Sequence, residues 1–219
     1  MQSSETYRLS ALVSFSGGLQ DAYTYNLRGH VFANAQTGNV VLMSQNFMTG
    51  RWMEGSDYLL PVFSFMAGIL LSDLIEGRFK FCRTVHWRQI VLFIEILLLF
   101  IVGLIPLPYE MLPNILVSFS CAMQVHSFRS VHANRYASTM CIGNLKSGTE
   151  SMTRFFRTKD NSDLHSALGL YGIILIFALG AGLGGILSGI LGIRTIWLSC
   201  AILFIAEILM IKRPVEGDQ

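Results

Sequence analysis

The pentapeptide Leu12-Val13-Ser14-Phe15-Ser16 recurs as Leu116-Val117-Ser118-Phe119-Ser120, and Gln20 recurs as Gln124 at the same spacing. Gly38-Asn39 returns as Gly143-Asn144 with one residue inserted, and Arg88 returns as Arg194. Phe65-Met66-Ala67-Gly68 sits opposite Phe177-Ala178-Leu179-Gly180, at a longer spacing. A duplication restricts the fold to two related units that must pack against each other. In an apolar chain it points to a pseudo-symmetric membrane protein with its working site between the halves. The halves are residues 1–108 and 109–219, forming one integral membrane domain.

The apolar character is pronounced. Of 219 residues, 52% are hydrophobic and only 14% charged, against roughly a quarter charged in a soluble domain. Such a chain cannot cover itself with polar surface, so the lipid bilayer is an expected partner. A net charge of +2 is too small to argue for nucleic acid. Cys82, Cys121, Cys141 and Cys200 show no metal-ligand spacing and imply no disulfide framework. No cleaved signal peptide is expected.

A spanning helix needs about 20 mostly apolar residues. Residues 58–75, 89–107, 164–191 and 195–211 qualify readily. Residues 9–26 and 112–131 are weaker because they carry the polar repeated motif. Residues 32–48 and 136–152 are semi-polar. Loop charge decides their status. The basic stretch 78–88 belongs in the cytoplasm, whereas 106–113 has one Glu and no Lys or Arg and belongs outside. Arg129, Arg135, Arg154, Arg157 and Lys159 are then cytoplasmic, so 136–152 begins and ends on one side. The expected fold is all-α: six transmembrane helices plus two re-entrant or broken segments, with both termini inside. Three spans per half force opposite orientations, a 3+3 inverted repeat. Eight full spans in parallel repeats is the rival.

An acid inside a membrane is expensive unless hydrated, paired or protonated. Asp21 is therefore the sharpest candidate, for proton coupling or as partner to a cation such as Arg129 or Lys146; the alternative is a structural ion pair or a cap at a helix break at Gly17-Gly18. Glu95 is a second proton-coupling candidate, and Glu207 is also intramembrane. Asn34, Gln36, Thr37, Gly38 and Asn39 form the first semi-polar motif, with Thr139, Gly143, Asn144 and Lys146 in the second. Backbone that leaves a helix at membrane depth must line a cavity or be buried in protein. A helix starting after Gly38 would aim its N-terminal dipole at the midplane, suiting an anion or carboxylate. Gln20 and Gln124 could face each other across the pseudo-twofold axis, or simply bond between helices. His126 and His132 have the wrong spacing for a metal site. Asp73 and Glu76, near Arg78, read as interfacial salt bridges. Gly180, Gly184, Gly185 and Gly189 make small-xxx-small spacings, read as packing within the chain, with a homo-oligomer as the alternative.

The run Gly17-Gly18-Leu19-Gln20-Asp21-Ala22, followed by Val31-Phe32-Ala33-Asn34-Ala35-Gln36-Thr37-Gly38-Asn39-Val40-Val41, resembles the YoaK-like family of bacterial membrane proteins. Met123-Gln124 and Thr139 through Gly143-Asn144 match that family's degenerate second copy, with Ile142 replacing its Thr. The resemblance covers essentially the whole chain. It implies a polytopic inner-membrane protein and carries no substrate with it.

These features lead to the expectation of a secondary transporter of a small polar or anionic solute, proton-coupled, with its site between two inverted repeats. A channel with paired half-helices, or a non-transporting sensor, assembly or defence protein, is the alternative. No catalytic triad or phosphate loop stands out, so no enzyme and no cofactor are expected. The glycine run 180–185 lies mid-span with no preceding strand, which rejects a nucleotide-binding reading.

Overall fold

A computed structural model describes residues 7–80, 82, 86–128, 130–131, 134–135 and 141–211. Eight α-helices follow one another: α1 (Tyr7–Leu27), α2 (Gln36–Met48), α3 (Trp52–Phe79), α4 (Trp87–Val102), α5 (Met111–Ser127), α6 (Cys141–Thr158), α7 (Asn161–Leu191) and α8 (Ile196–Ile211). A short 3-10 turn joins α7 to α8, and two-residue strands β1 (Ser130–Val131) and β2 (Asn134–Arg135) pair antiparallel after α5.

The two helices carrying the repeated motif are the most enclosed. α1 buries Leu9, Val13, Leu19 and Tyr23 together with Ser10, Ser14, Ser16, Gln20 and Thr24. α5 buries Val117, Cys121 and Met123 with Ser118, Ser120 and Gln124. The surrounding helices turn large apolar side chains outward: Phe63, Met66, Leu70 and Leu74 on α3, and Leu168, Leu175, Leu179, Ile186 and Ile190 on α7. Their spacing of three, four or seven residues keeps each set on one outer face of its helix. Hydroxyls and amides inside with leucines outside reverse the usual soluble arrangement, as lipid requires.

Pairing is crossed between the halves. α1 lies along α7 and α5 along α3, while α4 meets α8. Glycines bring the long pairs close. A Cβ at Gly180 of α7 would collide with the Phe15 carbonyl of α1, and a Cβ at Gly68 of α3 with the Phe119 carbonyl of α5. Farther along, Gly184 lies against the backbone of Leu19, and Ser72 donates to the carbonyl of Met123 at 3.4 Å. Phe15 and Phe119, like Gly68 and Gly180, are equivalent positions of the sequence repeat. Gly180 and Gly184 thus serve packing within the chain, while Gly189 has open space around it.

Three boundaries correct the sequence reading. α1 runs unbroken through Gly17-Gly18, because Gly18 is there for the approach of α7: its Cβ would strike the Phe177 carbonyl. α4 ends at Val102 rather than 107, where Gly103 fits beneath the Trp197 indole. α5 ends at Ser127 rather than 131. The two semi-polar segments are helices of 13 and 18 residues, α2 seated on α3 and α6 on α7. By length and composition, Trp52–Phe79 and the continuous stretch Asn161–Met210 could cross a membrane.

Candidate functional site

The site forms where the chain after α1 turns back on that helix. Gly29 and His30 both adopt left-handed backbone, with φ of 72° and 59°. This conformation suits Gly and is uncommon elsewhere. The reversal sends 31–35 back along α1. The Asn34 N–H then donates to Asp21 Oδ1 at 2.8 Å, and Asn34 Nδ2 donates to the Gly17 carbonyl at 3.2 Å. α2 starts two residues later, so its N-terminus opens beside the middle of α1. Asn39 fastens this geometry: its Nδ2 donates to the Phe32 carbonyl at 2.6 Å, and its Oδ1 accepts from Phe32 N–H at 3.2 Å. Gln36 Oε1 accepts from Asn39 as well, at 3.0 Å.

Beginning at Gln20, the residue before Asp21, a buried polar cluster joins α1, α4 and α5. Gln20 Nε2 donates to Ser16 Oγ at 3.0 Å and to Glu95 Oε1 at 3.3 Å, while Gln20 Oε1 accepts from Cys121 Sγ at 2.9 Å. Glu95 is fully buried, and its Oε2 has no hydrogen-bond partner among the described residues. Gln124, the repeat counterpart of Gln20, is also buried and donates to the Val13 carbonyl of α1 at 3.3 Å. Cys141, the first residue of α6, lies within electrostatic reach of Asp21. The start of α6 therefore approaches the same region as the start of α2.

The structure thus brings together Gln20, Asp21, Asn34 and Glu95, with Gln36 and Asn39 supporting them from α2. Thr37 is exposed, and Gly38 lies against the Phe32 ring. In the second half Asn144 is buried, and Gly143 is exposed. Lys146 is also exposed, with its ammonium 3.9 Å from Glu150, so it does not serve as the cation for Asp21. Asp21 has no ionic partner among the described residues; its carboxylate is held by backbone instead. Arg129, His132 and Thr139 lie outside the described residues. Glu207, on α8, has its Oε2 without a partner in the described chain. At the other end of α3, His126 Nε2 lies 3.3 Å from Glu76 Oε2 and 3.7 Å from Asp73 Oδ1, and Lys80 also pairs with Glu76 at 3.6 Å. Glu76 is therefore ion-paired with Lys80, and the His126 ring lies within reach of both Glu76 and Asp73.

Sequence reasoning passed over Ser16, Cys121 and above all Arg28. Ser16 reads only as part of the repeated motif, and Cys121 as a small apolar residue. Arg28 sits at a span end, where an interfacial reading is natural, yet it is wholly buried. Its Nε and Nη2 donate to Tyr23 Oη at 3.1 and 2.9 Å, and Nη2 and Nη1 donate to the carbonyls of Ile105 and Pro106 at 2.7 and 3.0 Å. It caps the C-terminal end of α4, where a cation is favoured by the helix dipole.

Polar residues enclosed by outward-facing apolar helices define a multi-helix membrane protein. The model of the protein family of unknown function DUF1275 matches residues 9–209. UPF0700 transmembrane protein YoaK of Bacillus subtilis (strain 168) is 24% identical over 182 residues, covering 79% of this chain and 80% of that protein. The chain belongs to the DUF1275, YoaK-like family of membrane proteins. No solved structure matches it.

Proposed function

We propose that the protein is a proton-coupled secondary transporter of a small polar solute across the bacterial cytoplasmic membrane. The observation that carries this reading is Glu95: a carboxyl fully buried among helices of both halves, bonded through one oxygen to Gln20 and unpartnered at the other. Intramembrane carboxyls mark proton relays by default, because burying one without such use is costly. The starts of α2 and α6 flank this region and would present helix N-termini and amides to a solute.

The exchanged contacts support two inverted halves. Gly180 meets Phe15 and Gly68 meets Phe119, so each half lends its third helix to the other's first. A pseudo-twofold relation would generate this pattern, with α2 and α6 entering from opposite faces and six helices crossing. The basic loop 78–88 and both termini then lie in the cytoplasm. The carboxyls of Asp21 and Glu95, with no basic side chain beside them among the described residues, favour a neutral or cationic group over an anion at this site. Alternating exposure of the site would let Glu95 exchange its proton on each face.

Glu95→Gln tests the proposal, because an amide keeps the shape and can still bond Gln20. Wild-type protein in liposomes enclosing a pH-sensitive dye should move protons when a transported solute is supplied from a panel of small amines, amino acids and polyols. The variant should fold and bind but move no protons. Unchanged solute-driven proton movement in Glu95→Gln would remove Glu95 from the mechanism.

A further inference from the structure

The α3–α5 pair ends beside the basic stretch 78–88. Ser72 Oγ lies 3.0 Å from Ser127 Oγ, and this contact fixes the register of the two helices at that end. Asp73 follows the first serine and His126 precedes the second. Asp73 and Glu76, three apart on α3, share a face, and the His126 ring meets both. Its Nε2 stands 3.3 Å from Glu76 Oε2 and 3.7 Å from Asp73 Oδ1. All three residues offer an atom within 4.8 Å of the other two. The spacing of His126 and His132 speaks against a histidine pair, but His126 has its carboxylate neighbours on another helix.

These separations are long for hydrogen bonds. An N–H donor prefers about 2.9–3.0 Å, and the 3.7 Å contact is too long to be one. They match a coordination edge instead: oxygen and imidazole ligands about 2.0–2.2 Å from a tetrahedral ion stand about 3.3–3.6 Å from each other. The local field favours a cation as well. Glu76 and His126 lie in the last turns of α3 and α5, so two helices present the negative ends of their dipoles here. Lys80 offsets part of this charge, but it pairs at 3.6 Å with Glu76 Oε1, not with the oxygen that faces His126. The cluster is both open and held. The Asp73 side chain is 73% exposed, whereas that of His126 is 9% exposed and packs T-shaped on the Trp87 ring, with centroids 6.4 Å apart.

We propose that Asp73, Glu76 and His126 bind a divalent transition-metal ion of the zinc type. One imidazole and two carboxylates suit such an ion, and water on the exposed Asp73 side completes its coordination. Magnesium fits less well, because it takes an octahedral oxygen shell and dehydrates reluctantly. The bound ion ties α3 of the first half to α5 of the second. The site stands on its own residues and does not depend on the transport reading.

Calorimetric titration of metal-stripped, tag-free, full-length protein in detergent with Zn²⁺ tests this, and Co²⁺ absorption reads the ligand type. Wild type should bind one Zn²⁺ per chain, and more tightly than Mg²⁺. Its Co²⁺ form should show nitrogen and oxygen coordination without a thiolate charge-transfer band, which excludes the exposed Cys82 as the ligand. Asp73→Asn and His126→Gln should each weaken Zn²⁺ at least about tenfold, the lower end of what even outer-shell changes cost a metal site. Asp73 is exposed, so its variant should leave folding intact. His165→Gln, at an exposed histidine elsewhere, and Glu95→Gln should bind Zn²⁺ like wild type, which separates this site from the transport proposal. Failure of monodisperse wild type to bind Zn²⁺ would overturn the proposal. So would unchanged affinity in Asp73→Asn, a thiolate band in the Co²⁺ form, or loss of binding in His165→Gln.

Discussion

At the scale of single residues, Asp21 and Arg28 make opposite lessons. Asp21 was legible as an acid in an apolar stretch, but its immediate partner was not, because Asn34 reaches it only after the chain reverses at Gly29-His30. Asp21 therefore holds the start of α2 in place, whatever else it does. Asp21→Ala should raise amide exchange across 31–39, whereas Asp21→Asn, which keeps an acceptor oxygen, should leave it near wild type; hydrogen-exchange mass spectrometry reads both. Equal exchange in the two variants would show that the Oδ1 contact does not anchor the loop. Arg28 was illegible because the carbonyls it caps come from a distant loop whose path no local pattern reveals. Arg28→Met removes those bonds and should destabilise the protein by about 3 kcal/mol, the scale of several charge-assisted hydrogen bonds lost at a buried site. Thermal unfolding in detergent checks it.

At the scale of elements, the helices were legible from apolar period and Gly spacing, and their ends were not. α4 stops where Arg28 and Trp197 converge on its last turn, both contributed by other elements. The helix pairs carry the sharpest prediction. Gly68→Leu and Gly180→Leu each place a side chain into a facing backbone carbonyl, and both should prevent recovery of folded protein. Gly189→Leu, with open space around its Cβ, should be tolerated. Size-exclusion profiles of the three variants decide it. The start of α4 has a pH signature as well. His86 Nδ1 accepts the Arg88 N–H at 3.2 Å, and burial, then the Arg88 charge, holds His86 below its usual range. The cap's contribution is thus complete above the ordinary His value of about 6.5 and is lost as pH falls below it toward the folded value. Wild type should melt lower at pH 5 relative to pH 7.5 by a margin that His86→Asn, which cannot titrate, does not show.

At the scale of the whole molecule, the duplicated motif pairs residues of α1 with residues of α5, and the fold adds which helices each of them packs against. The crossed pairing of α1 with α7 and α5 with α3 could not be read from the chain, because a repeat fixes what is equivalent and not what touches. Nor could the local pattern of 32–48 and 136–152 distinguish a helix lying on its neighbour from a loop. Both carry too many amides and hydroxyls for a plain span, and in the first of them the side chains of Gln36, Asn39, Ser44 and Asn46 bond to the chain itself. The polar cluster was legible only in part: Gln20 and Glu95 stood out as polar residues in apolar runs, but their bond joins residues 75 apart in sequence.

The central claim is that two inverted halves place α2 and α6 on opposite faces, and labelling of single cysteines with a membrane-impermeant maleimide tests it most directly. Reporters at Thr49, Cys82, Tyr109 and Lys159, each alone in a cysteine-free background, would be probed in right-side-out and inside-out vesicles. The account predicts that Thr49 and Tyr109 label from outside and Cys82 and Lys159 from inside. Labelling of Thr49 from inside with Cys82 from outside would mean that α2 crosses the membrane fully, and the inverted arrangement would fall.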